Sequence, residues 1–335
     1  MGTGAAPSAE AGVQAILAAG GLGLSVTRLD GPEATPPPEA AGLVRLGVHA
    51  DGPRPETGLD AFDILLTASP AAAPWVVVPA ERLETEIAHL NEVVARQPLA
   101  AAVAAQILRT SLKLSLDEAL VQESMGYSML LASAPFRAWR SDRPPRPPRT
   151  DDDERVRLFR EGEDLHIRLN RPQARNAVDA RMRDALVEAL EFAVLDPDVA
   201  PVFLSGEGPA FCAGGDLDEF GRAADPGAAH TIRVLQSAAR LAAQLGPRLT
   251  ARLHGACVGA GIEMPAAAGR IVARPGATFR LPEVGMGLIP GAGGTATIPR
   301  RVGRHRAAWM ALSGHEIDLA TALDWGLVDS VDEAP

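Results

Sequence analysis

The sequence predicts an α/β chain in which a helix-covered sheet follows a separate helical region. Three observations predict it. Beyond residue 155 short apolar strands alternate with longer helical stretches, residues 81–131 repeat their apolar positions at helical spacing, and a proline-rich charged segment divides the two.

The elements follow in order. Residues 1–42 are rich in Gly, Ala and Pro and end in ATPPPEAAG; their large apolar residues are too scattered for a core, which predicts a disordered lead. Apolar runs at 62–66 and 75–78 read as strands, the second closed by Pro79. From Glu81 the period changes: Leu83, Ile87, Leu90 and Val94 predict one helix, and 99–112 a second. Ser115 with Glu118 three residues on forms a capping box that opens a third helix, running through Leu131. Segment 141–154, SDRPPRPPRTDDDE, contains four prolines that block regular structure and charges that stay solvated, so it reads as a linker. Strands at 165–169, 202–204 and 249–253 and a helix at 179–195 follow. The expected organisation is a lead at 1–42, strands and helices at 43–140, a linker at 141–154 and a core at 155–335.

Composition narrows the function. With 335 residues, 47 % apolar and 22 % charged, the chain has the balance of a folded globular protein, enough for one large domain or two ordinary ones. No window of eighteen uncharged apolar residues occurs, and MGTGAAPSAEAG lacks a signal peptide's basic and apolar regions, so a cytoplasmic location without membrane contact is expected. A net charge of −10 and the lack of a basic stripe set nucleic acid aside as a partner. Cys212 and Cys257 are too few for a disulfide framework or a zinc site, and no His/Asp/Glu set suggests another metal. No histidine is placed with either thiol by a motif, so neither reads as a nucleophile, and His254 reads as a packing or hydrogen-bonding residue.

Three glycine clusters carry the chemistry: CAGGD at 212–216, GACVGAG at 255–261 and PGAGGT at 290–295. None matches a dinucleotide-binding or phosphate-binding loop. Without a Cβ, glycine lets backbone N–H groups approach a ligand closely, and two such loops can aim two amides at one oxygen. That is how an oxyanion hole is built.

At these residues the chain resembles the crotonase superfamily, whose members process acyl-CoA thioesters. The matching motifs are NRPQARNAV (170–178), GPAFCAGGDL (208–217), HGACVGAGIE (254–263), LPEVGMGLIPGAGGT (281–295) and ALDWGLVD (322–329), in family order over about half the chain. The resemblance implies a crotonase-like ββα spiral core with a helical region packed on it. It implies an oxyanion hole at the Gly215 and Ala260 amides; Ala260 replaces the usual glycine and can serve if its φ is negative. It further implies that Arg175, Ala177, Ala213, Asp216, Gly261, Pro290 and Gly291 contact substrate.

Glu263 and Glu283 stand twenty residues apart, the spacing of the two glutamates of family hydratases. Adding water across an α,β-unsaturated thioester needs one group to deprotonate water and another to protonate Cα. By resemblance these are Glu263 and Glu283 respectively. The implied activity is an enoyl-CoA hydratase or 3-hydroxyacyl-CoA dehydratase needing no cofactor, coenzyme A being part of the substrate. Alternatives are an enoyl-CoA isomerase, if Glu263 turns from the pocket; a cofactor-independent dioxygenase of an arylacetyl-CoA, against which Glu263 counts; and a non-catalytic assembly partner. A homotrimer or hexamer is implied.

A typical crotonase continues past GLVD into helices that line the acyl pocket and build the trimer. Here 76–140 reads like those helices, which implies a circular permutation joined through 141–154. Tyr127, Met129 and Phe136 are then expected at the pocket.

Overall fold

The computed structural model describes residues 21–30, 43–143, 146, 153–196, 198–222 and 225–332. Strands β1 (Gly23–Arg28), β2 (Leu43–His49), β3 (Ile64–Thr67) and β4 (Val76–Val77) form an all-parallel sheet in that order. β1 corrects the expectation of a disordered lead through residue 42: Leu24 and Val26 alternate with polar residues along an edge strand paired with β2, a signal too short to stand out in a Gly/Ala-rich context. β2 was likewise not anticipated. The rest of the expected lead, and most of the expected linker, lie outside the described residues.

Helices α1 (Leu83–Arg96), α2 (Pro98–Ser111), α3 (Leu116–Leu131) and α4 (Ala134–Ser141) follow. α3 opens with the expected capping box, Ser115 accepting from the Glu118 amide and the Glu118 carboxylate accepting from the Ser115 amide. Pro98 starts α2, where its missing N–H costs nothing.

The second half is built on a six-stranded sheet of order β13-β10-β8-β7-β6-β5: β5 (Val156–Glu161), β6 (Asp164–Leu169), β7 (Val202–Gly206), β8 (Leu249–Leu253), β10 (Arg270–Ala273) and β13 (Ser330–Val331). Only the β5–β6 pair is antiparallel. The register aligns Ile167 with Leu204 and Leu204 with Ala251, so the buried residues of neighbouring strands share one face. Met182, Leu186 and Leu190 of α5 (Ala180–Leu195) cover that face; Asp179 caps the helix by accepting from the Met182 amide. α6 (Pro226–Leu235) and α7 (Ala238–Leu245) connect β7 to β8. A small sheet of β9 (Ala256–Val258), β11 (Thr278–Arg280) and β12 (Ile317–Asp318) lies beside it, followed around the site by α8 (Ala260–Glu263), α9 (Gly294–Val302), α10 (Arg304–Ser313) and α11 (Leu319–Asp324).

The two halves share one hydrophobic core, running from Val44 through Leu130 to Val328. α2 packs on α9 and α10, and α3 on α6 and α9. Polar contacts reinforce this: Arg306 donates to the Trp75 carbonyl, Trp309 Nε1 to Glu86, and Arg304 to the Phe62 carbonyl. Among the described residues no helix is long and apolar enough to cross a membrane.

Candidate active site

Where α3, α6 and α8 converge with the 213–221 and 291–293 loops lies a cavity of about 290 Å³. Gly215, Asp216, Ala260, Glu263, Glu283 and Gly291, all expected at the site, line it. Arg175, Ala177, Ala213, Gly261 and Pro290 do not. Arg175 is exposed, and its carbonyl accepts from the Ala213 amide, so these two residues zip the 175–178 segment to the 213–216 loop. Ala177 gives its carbonyl to Arg171, Gly261 is buried in α8 against the Cys212 carbonyl, and Pro290 is buried. Of the three side chains expected at the pocket, Tyr127 lines it; Met129 is exposed, and Phe136, buried against Trp139 and beside the cavity-lining Gly221, does not line it.

The loop bearing Gly215 is held rigidly. Val178 N–H donates to the Gly214 carbonyl at 2.8 Å and Asp216 N–H to the Val178 carbonyl at 2.9 Å. Asp216 lines the cavity, but its carboxylate is engaged by the buried Arg171 at 2.7 Å, so it braces the loop. Asn176, fully buried with φ 53°, adds donations to the carbonyls of Glu207, Ala210 and Phe211. Between these bonds the Gly215 amide donates to no acceptor among the described residues, and neither does the Ala260 amide at the start of α8. Arg175 and Asn176 are the only non-glycine residues of positive φ among those described, so the φ of Ala260 is negative. Gly215 and Ala260 both line the cavity, so two amides with no acceptor among the described residues lie at its wall.

The carboxylates differ in surroundings. Glu263 Oε2 accepts from the Ala292 and Gly294 amides at 2.7 and 3.0 Å. Burial pushes its carboxyl up to about 7 against the pull of those donors. Glu283 has one oxygen buried with no partner, and burial, then the Glu263 charge, raise it well above the ordinary glutamate value. Both flank Gly259, φ 51°, where a Cβ would stand 2.3 Å from Glu283 Oε1 and 3.6 Å from Glu263 Oε1; only glycine fits.

A third buried carboxylate, Glu123 of α3, was missed by sequence reading, although an acid between Leu120 and Tyr127 on the inward face of a helix is a legible anomaly. Burial, then the Glu263 charge, raise it to about 8. Arg233 of α6, also missed, lies over the Tyr127 ring at 4.4 Å and donates to Ser124 and Ser128. Burial pushes Cys212 up to about 12 and Cys257 higher still, keeping both thiols neutral, and His254 Nε2 meets the Gly208 carbonyl at 2.9 Å. Among the described residues no group of three or more His, Cys, Asp or Glu is placed to hold a metal.

Residues 163–334, just over half the chain, match the family model for enoyl-CoA hydratase/isomerase. The chain belongs to that family. Its crotonase-type segment is 39 % identical over 169 residues to the 2,3-dehydroadipyl-CoA hydratase of Escherichia coli (strain K12), covering 50 % of this chain and 65 % of that protein. It is 34 % identical over 175 residues to a mevalonyl-coenzyme A hydratase of Beauveria bassiana (strain ARSEF 2860), covering 50 % of this chain and 62 % of the relative. The chain thus spans less than two-thirds of the length of these hydratases. A crystal structure of enoyl-CoA hydratase from Thermoplasma volcanium GSS1 superposes with TM-score 0.50 at 31 % identity, over 54 % of this chain and 73 % of that one. In this family member one of the helices that wall the cavity, α3, precedes the matched segment.

Proposed function

We propose that this family member hydrates an enoyl-CoA, or runs the reverse dehydration of a 3-hydroxyacyl-CoA. The observation that carries the reading is that Glu263 and Glu283 face one cavity in unlike surroundings, beside two free amides. A carboxylate with amide donors is suited to being ionised, and one with an unpartnered buried oxygen to being protonated; such divergence separates a base from an acid. Glu263 takes a proton from water, and the hydroxyl oxygen bonds to Cβ. The π electrons move to the thioester oxygen, held by the Gly215 and Ala260 amides, and return as Glu283 delivers its proton to Cα. Water has then added across the double bond, and a proton returns from Glu263 to Glu283 through solvent.

Glu263 lines the cavity, whereas the isomerase reading turns it away. The reaction needs only proton transfers and charge stabilisation, so the acyl-CoA is the sole small-molecule partner and no resident cofactor is invoked. On the same reading α1–α4 stand in for the terminal helices of a typical crotonase through circular permutation, in a trimer-based assembly. The test is hydration of linear, aryl and dicarboxylic enoyl-CoAs, followed by loss of ultraviolet absorbance and by mass spectrometry, with solution mass reporting the assembly. A product heavier by one water supports the reading; a shifted double bond without water uptake, or no turnover across the panel, refutes it.

A further inference from the structure

Four successive amides in the 292–295 loop are shared between two carboxylates. Ala292 N–H donates to Glu263, Gly293 N–H to Glu123 at 2.7 Å, Gly294 N–H to Glu263, and Thr295 N–H to Glu123 at 2.7 Å, with the Thr295 hydroxyl adding a third bond to Glu123. The alternation requires a backbone reversal, and Gly293 supplies it with φ 112°. The amides also open α9, whose positive dipole end favours the two acids they face. Glu123 is 2 % exposed and comes from α3, before the segment that matches the family.

We propose that Glu123 is a positioning residue for the reaction inferred above: by holding alternate amides of the 292–295 loop it keeps the intervening Ala292 and Gly294 amides aimed at Glu263. The inference rests on the hydratase reading. If Glu123 releases Gly293 and Thr295, the loop can rotate about the glycine pair, and Glu263 loses the donors that support its ionised form. The groups facing this cluster are Glu263 on α8, Glu283 and Arg280 after and on β11, Tyr127 on α3, Arg233 on α6 and Cys212 below α8. Glu123 and Glu263 both raise Glu283, whereas Arg280 lowers it.

Two variants of the full chain separate geometry from charge. Glu123→Gln keeps the length but cannot accept from two amides through two oxygens, and carries no charge. We expect kcat to fall by roughly 10–100-fold, the scale of a displaced catalytic group, with KM little changed. The alkaline limb of the kcat profile, which reports loss of the Glu283 proton, should move to lower pH because the like charge that Glu123 carries once ionised, above about 8, has gone. Glu123→Asp keeps the charge on a shorter arm, so kcat should fall while that limb stays at its wild-type position. Glu123→Gln with wild-type kcat and pH profile would overturn the proposal. So would a loss of activity that only follows the melting temperature, with the limb unmoved in both variants.

If the wild-type protein hydrates no enoyl-CoA, the hydratase reading fails on its own and the positioning claim is read without turnover, from carboxyl infrared bands of glutamate-labelled protein. Loss of one high titration and a downward move of Glu283 in Glu123→Gln supports the coupling; unmoved titrations of the other two carboxyls refute it.

Discussion

Replacing Glu283 by Gln tests stability and chemistry together. Burial holds this carboxyl well above its ordinary value, and one of its oxygens has no partner, so the folded state favours the protonated form. The unfolded chain releases that proton near the ordinary glutamate pKa of about 4.3, and each further pH unit costs the fold about 1.4 kcal/mol while the folded carboxyl stays protonated. Stability is therefore full below the unfolded value and is lost as pH rises towards the folded one. Gln, having nothing to titrate, does not incur this loss. Thermal unfolding of both proteins from pH 4.5 to 8 should show Glu283→Gln gaining on the wild type as pH rises. A pH-independent cost of burying the amide shifts the whole curve but not its slope. Over the same range hydration of crotonyl-CoA should drop by about 10²–10⁴-fold, the worth of a positioned acid, with CoA-thioester binding retained. A constant difference in melting temperature across the pH range would refute the buried-acid argument. Turnover within about tenfold of wild type would remove Glu283 from the chemistry.

Gly259→Ala places a methyl 2.3 Å from Glu283 Oε1 at φ 51°, so we expect a stability loss of about 1–3 kcal/mol from backbone strain and roughly 10²-fold lower kcat from the displaced acid, read by calorimetry and initial rates. Arg171→Met removes the 2.7 Å partner of the half-buried Asp216 carboxylate, which keeps only the Asp218 amide, and should cost about 1–3 kcal/mol in chemical denaturation. A fragment beginning at Arg155 lacks β1–β4 and α1–α4, which share the core and supply Glu123, and it should aggregate or bind hydrophobic dye; moving residues 21–140, which carry that whole sheet and its helices, behind Pro335 on a short linker should restore a soluble protein with the same activity. A well-behaved, active 155–335 fragment would show the preceding helices to be an accessory.

Local physics made much of this protein legible from sequence. Periodicity placed α1–α3 and the strands around Ile167, Leu204 and Ala251, because inward residues must repeat at 3.6 or 2 wherever an element buries one face. The α3 cap followed from Ser115 and Glu118, which interact within one turn. The glycine loops and the Glu263/Glu283 pair also stood out, since their chemistry is carried by residue type and short spacing. Tertiary structure decided the rest. β1 is a strand because β2 lies beside it, and a backbone pairing of that kind leaves only a faint mark on composition. That the Gly215 and Ala260 amides are free while their neighbours are bonded depends on how the 175–178, 212–216 and 256–261 segments interlock. Glu123 meets Gly293 across 170 positions of sequence. Such a contact exists only once α3 has docked on α9, because burial and hydrogen bonding at long range are set by the packing of whole elements and not by any neighbour along the chain.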